Sequence, residues 1–364
     1  MTRRKSSSPA RPIPEHHKQP ISLKRLAEHL GLSSATVSIV INRKPLSDMI
    51  PQETKERIWD AARRYNYRPN IIARSLRQQR TYSIGVLLPE FSDGYSALVL
   101  SGIEDYLLSK GYAWLAASHR HKDELIREYP HLLYTRAVEG LITVDTPYEE
   151  HLPFPVVSVS GHRQIDGVTN IVLNHERAAE LAIGHLCELG HREIAFIKGQ
   201  SFSSDTSVRW QSIRKVCHAM GIELKPELTA QLEGVSPSPE PGYAAAKKLI
   251  ASGVPFTALF AFNDVSAIGA IRALQESGQR VPDDVSVVGF DDIYGAAFHI
   301  PALTTIRQPL VKIGCLAAET LIERISSPNG GKTSGAVEVE PELIVRESTA
   351  PPSRAQRPVT PSRT

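Results

Sequence analysis

The stretch ISLKRLAEHLGLSSATVSIVIN, residues 21–42, decides how the first part of the chain folds. Its first half carries apolar residues at helical spacing, and Gly31 then supplies a helix stop. Ser33 is a suitable N-cap for a second helix, which we expect to run from Ser34 to about Ile41. The sequence thus predicts two short helices joined by one tight turn. The core-facing residues of the first helix are Leu23, Leu26, Ala27 and Leu30.

The second predicted helix presents small side chains to solvent. Val37, Val40 and Ile41 would face the core, and a compact outer surface lets such a helix enter the major groove of DNA, as in a helix-turn-helix. A third helix from Pro51 to Tyr65 would close a small core, with Ile58, Trp59 and Ala62 buried. Helical hairpins that only pack together share this pattern, so DNA binding is one of two interpretations at this point. The outer surface consists of Ser34, Ala35, Thr36, Ser38 and Ile39.

The charge of the chain is unevenly distributed. Residues 1–80 hold 17 Lys and Arg against 6 Asp and Glu, a balance of +11, whereas the remainder holds 25 against 33, a balance of −8. A basic head on an acidic body suits a polyanion partner, because Lys and Arg near phosphates release condensed counterions. A basic tail joined to ordinary solvated helix faces would give the same balance.

Composition limits the class of protein. A chain of 364 residues with 41% hydrophobic content can bury one large core and add a small satellite domain. Cys187, Cys217 and Cys315 show no C-x-x-C spacing, so we expect neither a disulfide framework nor a zinc site, and no metal ion or other cofactor. The amino terminus lacks the apolar region of a secretory signal and no apolar run is long enough to span a membrane, so a cytoplasmic location is expected.

From residue 82 onward, short apolar runs alternate with helical stretches. The runs are too continuously hydrophobic for half-exposed strands, so we expect central strands of parallel sheets, covered by helices on both faces. This α/β body is too long for one doubly wound sheet. The predicted strands are YSIGVLLP (82–89), YAWLAASH (112–119), GLITVD (140–145), FPVVSVSG (154–161), TNIVLN (169–174), EIAFIKG (193–199), FTALFAFND (256–264) and VSVVGFDD (285–292).

These patterns divide the chain into five segments. The first and last are rich in Pro, Ser and Arg and are expected to be disordered. The last segment has no leucine heptads, which favours a dimer over a tetramer held by a terminal coiled coil. The segments are a basic tail (1–19), a helix-turn-helix head (20–68), a hinge helix or linker (69–80), a body (81–350) and a second tail (351–364).

Several motifs in order resemble the lactose-repressor (LacI/GalR) family of bacterial transcription regulators, over roughly residues 21 to 348. The resemblance implies a homodimer whose heads read a pseudo-palindromic operator. It also implies a body of two Rossmann-like lobes of periplasmic-binding-protein type, with a small effector such as a sugar held between them. Besides residues 21–42, the motifs are NYRPNIIARSLR (66–77), TYSIGVLLP (81–89), GHREIAFIKG (190–199), NDVSAIGAIRAL (263–274), VPDDVSVVGFDD (281–292) and PALTTIRQP (301–309).

The resemblance also implies which residues contact DNA. Positions matching Ser34, Ala35 and Ile39 lie against bases in the family, and Asn42 matches a phosphate-contacting asparagine. Leu76 matches the leucine that wedges into the minor groove from a paired hinge helix, at the cost of a few kcal/mol of unstacking. The predicted DNA-binding set is Ser22, Leu23, Ser33, Ser34, Ala35, Thr36, Ser38, Ile39, Asn42, Asn70, Ala73 and Leu76.

Two features depart from the family pattern. The position of Ile39 often holds a residue that hydrogen-bonds a base edge, whereas isoleucine can make only apolar contact, for example with a thymine methyl group. Alternatively, Ile39 turns inward as an additional core residue. The loop RKPLSDMI (43–50) is about three residues longer than usual, which leaves phosphate contacts there open.

Ligands of such sheets bind at the carboxyl ends of the strands, so polar residues that end the apolar runs are candidates. Arg209, Asn263 and Asp291 match sugar-contacting positions of the family and together offer donors and an acceptor suited to polyol hydroxyls. Asn and Asp also cap helices and form turns, and we assign that role to Asp264 and Asp292. The family often supplies a carboxylate near Val159, and its absence leaves the effector class open. The predicted effector set is Tyr95, Ser96, Ser160, Arg209, Phe262, Asn263 and Asp291.

Other classes of function fit the sequence less well. No serine, cysteine or paired-carboxylate constellation indicates catalysis, and the G-x-G-x-x-G fingerprint of nicotinamide enzymes is absent. A periplasmic sugar-binding protein would share the body but not the helices of residues 21–77. The alternative to a regulator is a cytosolic sugar-binding or enzyme-like α/β protein whose basic head only anchors it to polyanions.

Overall fold

The chain divides into two compact units, residues 1–81 and residues 82–364. The first is an all-helical head and the second an α/β body. Within the part of the chain described, no helix is both long and apolar enough to cross a bilayer. The predicted tail of residues 1–19 and most of the second tail lie outside that part. The computed structural model describes residues 21–42, 45–68, 75, 79–147, 152–327 and 335–353.

Three helices form the described core of the head, and serine caps open the first two. The Ser22 hydroxyl accepts a hydrogen bond from the Arg25 backbone N–H at 3.3 Å, and the Ser33 hydroxyl accepts one from Thr36 at 3.0 Å. Gly31 ends the first helix with a φ of 64°, a left-handed conformation that carries no steric penalty for glycine. The helices are α1 (Leu23–Leu30), α2 (Ser34–Ile41) and α3 (Gln52–Arg64).

All three helices contribute to the core of the head. Leu23 and Leu30 were expected in it and pack against it while half-buried. Trp59 is likewise only half-buried, and Ala61 takes the buried position beside Ile58 instead. The buried residues are Ile21, Leu26, Ala27, Val37, Val40, Ile41, Ile58, Ala61, Ala62 and Tyr65.

The structure describes only part of the loop between α2 and α3 and of the predicted hinge that follows α3. A 3₁₀ turn over Pro45–Met49 occupies most of the long loop between α2 and α3. Of the predicted hinge, residues 69–80, only residue 75 and the last two residues are described. The predicted DNA contacts of Asn70, Ala73 and Leu76 therefore lie outside the described residues.

The body contains two six-stranded sheets, each at the centre of one lobe. The sheet of lobe 1 is built from β1 (Ser83–Leu88), β2 (Ala113–Ser118), β3 (Leu141–Val144), β4 (Val156–Val159), β5 (Val168–Leu173) and β11 (Gly335–Val339). Its strands are all parallel and lie in the order β11-β5-β4-β3-β1-β2.

Lobe 2 repeats this arrangement. Its strands are β6 (Ile194–Lys198), β7 (Thr229–Gln231), β8 (Ala258–Ala261), β9 (Ser286–Asp291), β10 (Thr304–Arg307) and β12 (Glu342–Ile344). They lie in the order β12-β10-β9-β8-β6-β7, and β12 runs antiparallel to β10 at the edge. Because helices cover both faces of each sheet, the central strands are buried along almost their whole length, as their apolar runs predicted.

One strand differs from its prediction. β2 lies at the edge of the lobe 1 sheet, and its residues Ala113 and Leu115 are exposed. The expectation of a central strand is wrong here because an apolar run rich in alanine does not reveal that one of its sides borders solvent.

Helices flank both sheets, and the chain passes from one lobe to the other three times. The crossings lie after β5, after β10 and after β11. The helices of lobe 1 are α4 (Gly94–Ser109), α5 (Asp123–Thr135) and α11 (Leu310–Ser326), and those of lobe 2 are α6 (His175–Leu189), α7 (Ser204–Ala219), α8 (Glu240–Ala251), α9 (Asp264–Glu276) and α10 (Tyr294–Phe298).

The contact between α4 and α11 depends on glycine. A Cβ on Gly102 would lie 1.9 Å from the Val311 carbonyl oxygen, so Gly102→Ala must push two backbones apart. We expect Gly102→Ala to lower the free energy of unfolding by about 2 kcal/mol or more, measured by urea denaturation. Gly184→Ala is the control, because its Cβ meets only Met220 Cε at 3.8 Å and should gain about 0.5–1 kcal/mol of helix propensity. Equal midpoints for both variants would contradict the close contact.

Candidate functional site

The outward surface of α2 is small and weakly polar. Ser34 and Ala35 are exposed, while Thr36, Ser38 and Ile39 are half-exposed. The Thr36 hydroxyl lies 2.8 Å from the Ser33 hydroxyl, so it already has a partner within the cap. This surface can approach another molecule closely because no long side chain projects from it.

Ile39 does not belong to the described core of the head. It is half-exposed and is absent from the side chains that pack against that core, which argues against the inward orientation considered above. Asn42 closes α2 and donates from Nδ2 to the Ser38 carbonyl at 2.7 Å and to the Ser38 hydroxyl at 3.2 Å. The predicted base-contacting surface therefore presents an apolar centre flanked by hydroxyl groups.

The second candidate region is the cleft between the two lobes. Strand ends of both sheets meet there, as expected for parallel sheets whose carboxyl ends face one crevice. Of the seven predicted effector residues, Ser160 is the one that does not line the cleft. It lies behind the wall of the cleft, with its hydroxyl 2.7 Å from the Tyr95 hydroxyl. The other six predicted effector residues all line this one cleft: Tyr95, Ser96, Arg209, Phe262, Asn263 and Asp291.

Arg209 extends from the first turns of α7 to the cleft wall and is only 4% exposed. Its Nη1 donates to the Phe262 carbonyl at 2.5 Å, and its Nη2 donates to Asp205 Oδ2 at 3.1 Å. The guanidinium also lies 3.7 Å from the centroid of the Phe290 ring and 4.3 Å from that of Phe262. A delocalised cation held by aromatic rings and one carboxylate keeps a fixed orientation in the cleft.

Asp291 ends β9 in an unusual conformation. Its φ of 104° lies in the left-handed region, which non-glycine residues rarely adopt and which often marks functional positions. Gln308 donates from Nε2 to Asp291 Oδ1 at 2.7 Å. Burial raises the pKa of Asp291 well above its usual value, although the charge of Arg209 opposes that shift. The Asp291 carboxyl group lines the cleft, held in place by Gln308.

Asn263 caps α9, and helix capping is the alternative role that the sequence left open for Asn and Asp residues at strand ends. Its side chain accepts from the Ser266 N–H at 2.9 Å, while the Ser266 hydroxyl approaches the Asn263 backbone. Ser96 likewise serves a cap, because its N–H and hydroxyl both donate to Asp93. Both residues border the cleft, but Ser96 is fully buried, so its hydroxyl contributes to the wall rather than to an open surface.

Two carboxylates of the cleft were missed by sequence reasoning. Asp145 follows β3 and accepts from the Ser204 hydroxyl at 2.8 Å and the Ser203 hydroxyl at 3.3 Å, which links lobe 1 to lobe 2. Burial, with the charge of Asp205 as a further cause, raises the pKa of Asp145 to about 6. A signal was available, because Asp145 ends the apolar run GLITVD as Asp291 and Asp292 end VSVVGFDD.

Asp205 lies one helical turn before Arg209, and all of its partners favour its charged form. Burial opposes ionisation, but the nearby His175, hydrogen bonds from His162 and His175, and Arg209 hold the pKa of Asp205 well below its usual value. Asp205 is therefore a buried carboxylate that orients Arg209.

Comparisons with known proteins identify both units. Residues 22–70 match the model of the bacterial regulatory proteins of the lacI family, and residues 183–349 match that of the periplasmic binding protein-like domain. The HTH-type transcriptional repressor PurR of Haemophilus influenzae is 31% identical over 335 residues, which cover 90% of this chain and 98% of the relative. The chain belongs to the lacI family of bacterial regulatory proteins. It is a DNA-binding transcriptional regulator of the class that responds to a small-molecule effector.

Two solved structures of transcriptional regulators have the same architecture. The lac repressor dimer bound to operator and the anti-inducer ONPF is 27% identical to this chain. The match covers 91% of this chain and all of that chain, with a TM-score of 0.78. The complex of the transcriptional regulator CelR with cellobiose is also 27% identical, covers 90% and 99% of the two chains, and gives a TM-score of 0.66. The predicted fold class, a helix-turn-helix head on a two-lobe body, is confirmed.

Asp264 and Asp292 of this lacI-family body serve local structure. Asp264 is fully buried and accepts from the Thr305 hydroxyl at 2.6 Å and from the Ile293 N–H at 2.9 Å. Asp292 pairs with Arg307 at 2.8 Å and with Arg346 at 2.5 Å. Both residues therefore fix the connections after β8 and β9.

The buried Asp264 makes stability depend on pH. Burial raises its pKa from 3.8 to about 7, so the folded state binds a proton that the unfolded state releases above pH 4. This stabilising contribution is full below pH 4 and is lost as the pH rises to about 7, on the order of 4 kcal/mol in total. Urea denaturation between pH 5 and pH 8 should show stability falling with pH. Asp264→Asn should reduce that slope, to which Asp145 also contributes, even though it lowers stability at pH 5. An unchanged slope would rule out Asp264 as a source.

Proposed function

We propose that the protein is a homodimeric repressor whose α2 helices read the two half-sites of a pseudo-palindromic operator, under the control of an effector bound between the lobes. The main support is the convergence of Arg209, Asn263 and Asp291 on one interlobe cleft in a chain that also carries a helix-turn-helix. An effector acts by favouring one arrangement of the lobes. By thermodynamic linkage, the factor by which the effector changes operator affinity equals the factor by which the operator changes effector affinity. Coupling of about 1–3 kcal/mol would alter operator affinity roughly 5- to 150-fold.

We infer that the effector is an uncharged polyhydroxylated molecule of the sugar class. The cleft holds carboxyl groups at the half-buried Asp145 and at the buried Asp205 and Asp291, and the buried guanidinium of Arg209 already pairs with Asp205. An anionic ligand would therefore find no free guanidinium to pair with, while hydroxyl groups can hydrogen-bond with the carboxyl groups. The phenyl ring of Phe262 offers an apolar face to a sugar ring. The cellobiose complex of the CelR neighbour agrees with this class.

The dimer proposal rests on an apolar patch in lobe 2. Tyr294, Phe298 and Ile300 are 77%, 86% and 85% exposed, and they lie within seven residues of one another on and after α10. Clustered large apolar side chains on a soluble protein mark an interaction surface. The similar lac repressor is described as a dimer on its operator, and a dimer is what two half-sites require.

For DNA contacts, we propose that Ser34, Ala35 and Ile39 of α2 lie against base edges. Their exposure and the absence of long side chains allow α2 to lie deep in a major groove. The other described members of the proposed set would contact the backbone, cap helices or flank these contacts: Ser22, Leu23, Ser33, Thr36, Ser38 and Asn42.

The test is a selection of random duplexes on the purified full-length protein at near-physiological salt, followed by sequencing. Recovery of a palindrome with a pyrimidine-purine step at its centre is expected, because such steps kink most readily. Salt-sensitive retention without sequence preference would overturn the proposal and favour the alternative, a sugar-binding or enzyme-like protein whose basic head is only a polyanion anchor.

Ile39 gives a specific prediction about base reading. Ile39→Ala should weaken binding to the selected operator by about 10-fold, because an apolar contact with a base is lost, and should leave nonspecific binding unchanged. Fluorescence anisotropy with the operator and with a scrambled duplex measures both. Met49→Ala is the control, since Met49 is exposed in the 3₁₀ turn outside α2. Parallel losses on both duplexes would show that Ile39 only supports the fold of the head.

A further inference from the structure

A cluster of metal-ligating side chains lies where the two lobes meet. His162 Nε2 is 2.6 Å from Asp205 Oδ1, and His175 Nε2 is 3.3 Å from the same oxygen. One potential ligand atom from each of the three residues lies within 4.8 Å of the others. The residues come from three segments of the chain: the loop after β4, the first residue of α6 and the first turn of α7. No local spacing therefore reveals the cluster in the sequence.

The hydrogen bonds of the chain leave this cluster incompletely satisfied. His175 is only 4% exposed, yet its Nδ1 has no hydrogen-bond partner within the described part of the protein. Buried polar atoms are rarely left unpaired, and a bound ion is one of the features that explains such an atom. His175 approaches Asp205 through Nε2, and its Nδ1 keeps hydrogen-bonding capacity that the described part of the protein does not use.

Asp205 can bind a cation without losing Arg209. Arg209 contacts Oδ2, whereas both histidines approach Oδ1, so the two oxygens of the carboxylate serve different partners. An ion about 2 Å from each donor separates neighbouring donors by roughly 3.3 Å. The His175 nitrogen already has that separation from Oδ1, and the half-buried His162 must move back by less than about 1 Å.

The cluster lies between a surface groove and the effector cleft. His162 and His175 line the groove together with Asn174, whereas Asp205 lines the cleft that holds Asp291. An ion can therefore approach the two histidines from the groove.

We propose that His162, His175 and Asp205 bind one divalent transition-metal ion of the zinc class. Two imidazoles and one carboxylate are ligands that Zn²⁺, Co²⁺ and Ni²⁺ accept, with water completing the coordination. His162 belongs to lobe 1 and Asp205 to lobe 2, so the bound ion joins the two lobes directly.

The experiment is a calorimetric titration of ZnCl₂ into the chelator-treated full-length protein, repeated with CoCl₂ while visible absorption is recorded. We expect one site per chain, and cobalt bands that disappear when Zn²⁺ is added. His162→Ala should weaken zinc binding by about 100-fold or more, since loss even of an outer partner costs 10–100-fold. His175→Gln should do the same, and thermal unfolding of the metal-free variants checks that they are folded.

The sequence supplies the matched control. His16 and His17 are adjacent in the N-terminal tail, and such a pair can bind metal ions by itself. The double variant His16→Ala/His17→Ala should bind zinc as the wild type does. Absence of stoichiometric binding, loss of the site in this double variant, or unchanged affinity in a folded His162→Ala would each overturn the proposal. None of these outcomes bears on the operator selection, so the two proposals fail independently.

Discussion

Replacing Phe298 with aspartate will convert the protein to a monomer and lower operator affinity by about 100-fold or more. Phe298 is 86% exposed beside Tyr294 and Ile300, and burial of such side chains against a partner contributes about 1.5–3 kcal/mol each. A charge at the centre of that contact removes one contribution and adds the cost of a buried unpaired carboxylate. A monomer then binds half-sites singly and loses the 10²- to 10⁴-fold gain of a linked second contact.

Sedimentation velocity and anisotropy with the selected operator measure these two effects. Met220→Asp is the matched control, because Met220 is an exposed apolar residue of lobe 2 at the end of α7, away from α10. The control should remain dimeric with unchanged operator affinity. A Phe298→Asp protein that sediments as a dimer would show that the apolar patch has another use.

Arg209→Met will lower the free energy of unfolding by about 3–5 kcal/mol. The substitution keeps an apolar side chain between the Phe262 and Phe290 rings but leaves Asp205 without its guanidinium partner in a buried site. Breaking a buried ion pair by removal of one partner typically costs that much, because the remaining charge is uncompensated. Urea denaturation at pH 7 measures the change.

Arg177 provides the comparison for that prediction. It pairs with Glu180 at 3.0 Å on the surface of α6, where both side chains are well exposed. Arg177→Met should therefore cost less than about 1 kcal/mol. Similar costs for the two variants would mean that solvent reaches Asp205 and compensates its charge, and the fixed orientation of Arg209 in the cleft would no longer be supported.

Much of the fold follows from the sequence for identifiable reasons. The serine caps and Gly31 define α1 and α2, because each satisfies or ends a helix through local chemistry. Long apolar runs predicted the central strands, because only strands covered on both faces remain apolar at every position. The run YAWLAASH predicted β2 as a strand but not its position at the edge of the sheet. The three-residue strands β7 and β12 carry no such run, since very short strands depend on their neighbours for definition.

The cleft was predicted in part. Polar residues at strand ends were the criterion, and it located Asn263 and Asp291 because parallel strands bring their carboxyl ends to one crevice. Asp205 was missed because it lies on a helix, and Gln308 because it lies at a crossing between the lobes. Their positions depend on how the two lobes meet, which local patterns do not encode.

The three crossings between the lobes also determine the order in which the body can be completed during synthesis. Lobe 1 begins with β1, yet its helix α11 and its edge strand β11 come from residues 310–339, after most of lobe 2 has been made. Lobe 2 in turn needs β12, which follows β11. Neither lobe is a contiguous piece of the chain, so a ribosome-bound fragment ending near residue 300 holds two unfinished sheets with uncovered apolar surface. Folding of the body is therefore a late event that joins both lobes at once.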